Sequence, residues 1–182
     1  MKKTELKINI FGSPALRKKA KPIKKITQEH KEALSQMARL MYEFSGVGLA
    51  AAQVGLEDAM LVADIGTGLY KLINPVIIRK EGTQVLEEGC LSVPGVCIKV
   101  RRSLKVWIKA LNENAEPLDF EAEGLLACVF QHEMDHLKGR LIVDYASFFE
   151  KFKITKELKE LKKRAEDEKL SQSETKSCSL QL

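Results

Sequence analysis

The chain has 182 residues, 45% hydrophobic and 30% charged, with a formal net charge of +5 at pH 7. That length suits one domain with a real core, and the composition is that of a soluble globular protein. The charge is too mild to argue for nucleic acid by itself, no apolar run approaches the ~18 residues that span a bilayer, and the start, Met1 to Lys7, lacks a signal-peptide core; a cytoplasmic protein with no DNA or membrane partner is expected. In chain order, Leu6 to Phe11 alternates as a strand. Ser13-Pro14 opens a short helix, with Ser13 as N-cap and Pro14 at the first position. Thr27 caps a longer helix running to about Phe44, whose apolar set Ala33, Leu34, Met37, Leu40, Met41 and Phe44 falls on one face.

From Ala59 to Phe120 the signals are strands and turns. Ala59 to Ala63 is a short apolar run, and Ile65-Gly66-Thr67-Gly68 a turn. A strand ending Leu72-Ile73 stops at Asn74-Pro75, and a further strand, Val76-Ile77-Ile78, follows. Leu104 to Leu111 is β-rich, and Asn112-Glu113-Asn114 turns into the next strand. A second long helix spans about Glu123 to Leu137 and stops near Gly139. A third begins after Asp144, covering about 146–169, and is lysine-rich from Lys151 to Arg164. Residues 170–182 are polar and serine-rich and are expected to be a disordered tail. The whole reads as α+β, with mixed, mostly antiparallel strands around a central helix, in one domain over 1–169. The four cysteines (Cys90, Cys97, Cys128, Cys178) lack disulfide or zinc-ribbon spacing and read as free thiols, in the core or as ligands or nucleophiles.

The chemistry concentrates in Gln131-His132-Glu133-Met134-Asp135-His136, which contains H-E-x-x-H. Residues four apart stack on one helix face, so His132 and His136 can reach one divalent metal. Glu133 projects about 100° round, near enough to serve a water as base. Alone, the motif is as often an ordinary charged turn. The apolar run Gly124 to Phe130 leading into it argues for burial, and buried imidazoles and a buried carboxylate need partners. Two histidines want a third protein ligand. His30 lies far upstream on a surface helix and reads as solvated. Cys90, in Glu88-Gly89-Cys90-Leu91-Ser92, reads equally as a core cysteine or as a thiolate ligand. A zincin-type endopeptidase would need a ligand downstream of the motif, and none is apparent; a non-catalytic basic RNA-associated protein would not need Gln53, Cys90 and Glu133 intact.

Three segments together resemble the peptide deformylase family: Gly46-Val47-Gly48-Leu49-Ala50-Ala51-Ala52-Gln53, then Glu88-Gly89-Cys90-Leu91-Ser92, then Gln131 to His136. They match G-x-G-x-A-A-x-Q, E-G-C-L-S and Q-H-E-x-D-H in order, and the resemblance covers about residues 5 to 165. It implies a metal-dependent hydrolase that removes the formyl group from the N-terminal formylmethionine of nascent polypeptides. It implies one divalent metal on Cys90, His132 and His136, expected to be Fe(II), with zinc, nickel or cobalt as alternatives. Glu133 carries over as the proton-transfer group, and the Gln53 amide and the Leu91 N–H as oxyanion donors. Leu125, Cys128 and Val129 share the His132 helix face and are expected to line a pocket for methionine, completed by Val47 and Leu86. The Val47-Gly48 backbone and Gly89 are expected to pair with the peptide as an added strand. Where several relatives carry an arginine or aromatic residue after the E-G-C-L-S cysteine, this chain has Val96-Cys97-Ile98, so contacts beyond the first substrate residue do not carry over. Residues 150 to 164 hold seven Lys/Arg and three Glu, and in some relatives such a helix docks on the ribosome; the same contact is an expectation here.

Overall fold

The computed structural model describes residues 6–167. Three α-helices, α1 (Gln28–Glu43), α2 (Gly124–His136) and α3 (Phe148–Asp167), accompany seven strands. The strands are β1 (Gly48–Ala50), β2 (Met60–Ala63), β3 (Tyr70–Glu81), β4 (Gln84–Glu88), β5 (Ile98–Arg102), β6 (Lys105–Leu111) and β7 (Pro117–Glu123). A five-stranded sheet has the order β1-β2-β3-β6-β7, and β4 and β5 form a separate two-stranded sheet. Every pair of named strands is antiparallel, as the α+β reading requires.

Side chains alternate across a strand, and in β2 both faces are buried. Leu61 and Ala63 pack with Ala127, Val129 and Phe130 of α2, while Met60 and Val62 pack with Leu34, Met37 and Met41 of α1. The apolar stripe of α1 therefore covers one face of the sheet and α2 the other. α2 is buried nearly all round, from Ala127 to His136, so its polar residues are enclosed by the fold. A third cluster joins Cys90, Val93, Ile98, Val100, Ile142 and Leu161, with Ile154 and Leu158 packed against it. α3 thus lies behind the Cys90 loop, and Gly12 meets it closely. A Cβ on Gly12, which has φ +110°, would come within 3.0 Å of the Lys162 Cα.

Several sequence expectations need correction. Leu6 to Phe11 joins no sheet; instead the Asn9 N–H donates to the Gln53 carbonyl at 2.7 Å and the Phe11 N–H to the Ser92 carbonyl at 2.7 Å. Its alternation serves to brace two loops of the candidate site. Asn74-Pro75 does not end a strand: β3 runs through it, with a register shift between Ile73 and Val76. Asn74 takes φ 51° there, and its side chain bonds the Ile23 N–H and carbonyl, both at 2.8 Å. A proline without a donor fits a bulge. Pro14–Arg17 forms a 3₁₀ turn, and the Ser13 hydroxyl donates to Asn9 Oδ1 at 3.3 Å rather than capping it. Cys90 and Cys128 are free, buried thiols. The expected tail, 170–182, lies outside the described residues. Among the described residues, no helix is long and apolar enough to cross a membrane.

Candidate active site

α2 carries the site and leaves β7 without a loop between them. Gly124, at φ +60°, makes the corner, its N–H donating to the Leu104 carbonyl at 2.8 Å. Such a left-handed turn favours glycine. Gln131, the first residue of the motif, ties the helix to the β5–β6 turn. Its Oε1 accepts the Ser103 N–H at 3.0 Å, and its Nε2 donates to the Ser103 and Ala127 carbonyls at 2.9 Å each.

Within this frame, His132 and His136 meet the Cys90 thiol at the end of β4. Cys90 Sγ is 3.3 Å from His136 Nε2, and the two Nε2 atoms are 3.2 Å apart. All three donor atoms lie within 4.8 Å of one another, and all three residues are buried. The donor set fits a divalent metal. His132 Nδ1 lies 2.9 Å from Glu88 Oε2, so its N–H is given to the carboxylate and its Nε2 lone pair turns to Cys90 Sγ and His136 Nε2. A carboxylate holding the far nitrogen of a histidine is the usual support of a metal ligand. Burial pushes the Cys90 thiol up, and the nearby Glu133 adds to this, while the Ser92 and Val93 amides oppose it. A thiol held up in this way ionises when a cation arrives to pair with it. Burial likewise drives His136 well below the ordinary imidazole range, leaving it neutral, as a ligand must be.

Two further groups face the three donors. The Gln53 Oε1 accepts the Ala50 N–H at 2.8 Å, which turns its Nε2 to Ser92 Oγ at 3.3 Å and Cys90 Sγ at 3.7 Å. Glu133 is fully buried, and among the described residues neither carboxylate oxygen finds a hydrogen-bond partner; the Ala50 amide beside it is already given to Gln53. Burial raises the Glu133 carboxyl well above its ordinary range, with Glu88 adding to the rise and Arg102 opposing it. A buried carboxylate without a partner is costly, and a cation on the three donors would relieve it. Gly48 makes room for this side chain: a Cβ there would lie 2.9 Å from Glu133 Cδ, well inside contact distance.

Behind Cys90, His132 and His136 lies a buried ion network that the sequence did not reveal. Arg102 donates to both Glu88 oxygens, at 2.7 and 2.8 Å, and to Asp135 Oδ2 at 2.5 Å. The Tyr145 hydroxyl donates to the same Asp135 oxygen at 2.6 Å, and its ring lies 4.9 Å from the Arg102 guanidinium. Cys128 donates its thiol to Glu88 Oε1 at 3.1 Å. Burial would raise the Glu88 carboxyl, but the bonds from Arg102 and His132 outweigh it and hold it at about 2. The acidic members stand inside the recognised motifs; their partners, Arg102 and Tyr145, carry no local signal, being joined only by the fold.

The expected apolar pocket residues belong to one cluster. Cys128 and Val129 are fully buried in it, and Val47, Leu86 and Leu125 pack against it while remaining partly exposed. Gly48, Gly89 and Leu91 are buried. His30, read as solvated, accepts the Thr27 N–H at 3.0 Å at the start of α1, remote in the fold from the three ligands.

A family model described as polypeptide deformylase matches residues 5–152. The chain belongs to the peptide deformylase family. A peptide deformylase of Halothermothrix orenii is 49% identical over 141 residues, covering 76% of this chain and 92% of that protein. One from Thermotoga maritima is 42% identical over 156 residues, 85% of this chain and 95% of its own. Among solved structures, a Legionella pneumophila peptide deformylase superposes with a TM-score of 0.83 at 36% identity, covering 92% of this chain and all of that one. A plant peptide deformylase gives 0.86 at 34% identity, covering 93% and 95%. This deformylase is therefore an amide hydrolase that removes the formyl group from the amino terminus of nascent peptides.

Proposed function

We propose that Cys90, His132 and His136 hold one divalent metal, with Fe(II) as the native ion and zinc, nickel or cobalt able to replace it, and that Glu133, Gln53 and Leu91 carry out deformylation beside it. The observation that carries this reading is the convergence of a thiol and two imidazole nitrogens next to a buried carboxylate without a partner. A metal bound there would supply Lewis acidity towards a carbonyl oxygen and a water acidic enough to attack near neutral pH. Glu133 accepts the proton of the attacking water as the new C–O bond forms at the formyl carbon. It then delivers that proton to the amine nitrogen as the C–N bond breaks, so formate and a free amino terminus leave. The Gln53 Nε2–H, aimed by the Ala50 bond to Oε1, and the Leu91 N–H stabilise the charge that develops on the formyl oxygen.

The methionine side chain is taken by the partly exposed Val47, Leu86 and Leu125, backed by Cys128 and Val129. Their shared cluster supports this, and a flexible thioether suits such a wall. β1 is an edge strand of its sheet, so the Val47-Gly48 backbone, together with Gly89, offers a place for the peptide to add as a strand. The catalytic unit includes α3, a reading supported by Leu161, Ile154 and Leu158 packing in the cluster that contains Cys90. Acting on nascent chains, the enzyme works in the cytoplasm, and α3 is its proposed contact with the ribosome. Ile154, Leu158 and Leu161 are turned to the protein, while Lys151, Lys153, Lys156, Lys159, Lys162 and Lys163 are exposed.

The test is formate release from a formyl-methionyl peptide, run beside the same peptide without the formyl group. Formate from the first and no internal cleavage of either supports the reading; internal cleavage without formate would replace it with a peptidase. Reversing the charge of Lys151, Lys156 and Lys159 should abolish low-salt co-sedimentation with ribosomes; unchanged co-sedimentation would remove α3 from the reading.

A further inference from the structure

The ion network behind His132 opens on its other side into a cavity of about 350 Å³, separate from the formyl site. Gln131, Met134 and Asp135 of α2 line it. They lie on a helix face roughly 120° round from His132 and His136. Five basic residues line the cavity: Lys80, Arg101, Arg102, Lys138 and Arg140. Asp135 is the only carboxylate in its lining, and its charge is already met by Arg102 and the Tyr145 hydroxyl. The other four cations are exposed and form no ion pair among the described residues; Arg140 does approach the Tyr145 hydroxyl. Thr83 and Ser103 also line it.

Arg102 makes this more than a basic surface. It is a buried guanidinium in the cavity wall, and its three side-chain bonds use three of its five N–H donors. Four basic residues in surplus around a concave site, with a preorganised guanidinium in the wall, suit a compact, multiply charged oxyanion. A single carboxylate would leave most of that charge unmet. We propose that this cavity is a phosphate-binding site, taking either a small phosphate ester or a phosphate of an RNA backbone. The inference does not rest on the metal centre, because none of its surplus cations touches a metal ligand. It does adjoin that centre, since Arg102 also clamps Glu88 against His132.

The probes are inorganic pyrophosphate and a short single-stranded oligouridylate, titrated calorimetrically into the metal-loaded chain. The comparison is with Arg101→Ala/Arg140→Ala, two exposed positions, and with Lys24→Ala/Lys25→Ala, which removes the same charge elsewhere. The site is supported if either probe saturates and weakens by about tenfold or more in the first variant, with the second variant unchanged. Tighter binding of the oligonucleotide than of pyrophosphate, with a slope of log K on log salt of about −0.7 per phosphate contacted, identifies RNA as the source. Pyrophosphate binding as tight or tighter identifies a small phosphate ester. The proposal is overturned if neither probe saturates, or if the Arg101→Ala/Arg140→Ala variant binds as well as the unaltered chain.

Discussion

Replacing Arg102 with Met removes the hub of the network behind His132. Three charge-assisted bonds disappear, at 2.7, 2.8 and 2.5 Å. Glu88, fully buried, keeps only His132 Nδ1 and the Cys128 thiol, and Asp135 keeps only the Tyr145 hydroxyl. Breaking a buried pair from one side costs about 3–5 kcal/mol, because the remaining charge stays out of water. For a chain of this size each kcal/mol moves the melting point by about 2–4 °C, so the expected fall is ~6–20 °C. Adding Glu88→Gln removes the stranded charge, and the double variant should recover ~1–3 kcal/mol relative to the sum of the single ones. Urea unfolding of the metal-free chain measures both quantities. Because Glu88 also orients His132, chelator competition should show metal affinity reduced by about 10–100-fold in either single variant. A loss below 1 kcal/mol for Arg102→Met, or strict additivity in the double variant, would refute the claim that this network supports the metal ligands.

Other predictions follow from the same geometry. Glu133→Gln keeps all three ligands and should retain one metal per chain while kcat falls by about 10²–10⁴-fold; equal kcat would remove Glu133 from proton transfer. Gly48→Ala forces a methyl group against Glu133. It should lower kcat with little change in metal content, and wild-type kinetics would show that the carboxylate can move aside freely. Burial raises the Asp144 carboxyl, but Arg17 at 2.6 Å and the Leu141 N–H at 2.9 Å outweigh it and hold it below its ordinary range. A carboxyl lowered by folding adds stability above its unfolded pKa, and that contribution is lost as pH falls through the folded value. Asp144→Asn should therefore be less stable at pH 7 and lose its deficit towards acid, as read from melting curves across pH; a deficit constant with pH would contradict the pairing. Removing the metal by chelation should lower the melting point and restoring it should reverse the loss; a melting point indifferent to chelator would mean that no ion is bound in the folded state.

The parts of the site that follow one helical period were legible in the sequence. His132 and His136, four residues apart, share a face of α2, and the apolar run before them signalled burial. The three-motif resemblance brought Gln53 and Cys90 to the same point. Arg102, 14 residues from Glu88 and 33 from Asp135, was not legible. It joins β5, β4 and α2, and no local pattern records which strand passes behind a helix. β3 was divided at Asn74-Pro75 because proline ordinarily ends a strand, and the Asn74 side chain that bridges the bulge to Ile23 acts across 51 residues. The segment from Leu6 alternates like a strand but spends its N–H groups on Gln53 and Ser92, a tertiary role that periodicity does not distinguish from sheet pairing. The face of α3 was legible only in part. Leu158 and Leu161 pack inwards, but Phe148 and Phe152 are 82% and 80% exposed, so large apolar side chains there do not mark the buried face.

The most direct test of the account is to measure metal content and formate release together, in the chain purified anaerobically with Fe(II) and in its Cys90→Ser variant. One ion per chain and formate released from a formyl-methionyl peptide are expected, with both lost or severely reduced in the variant. Full metal content and full activity in Cys90→Ser would contradict it, because the thiol at the meeting point of His132 and His136 would then have no part in the centre.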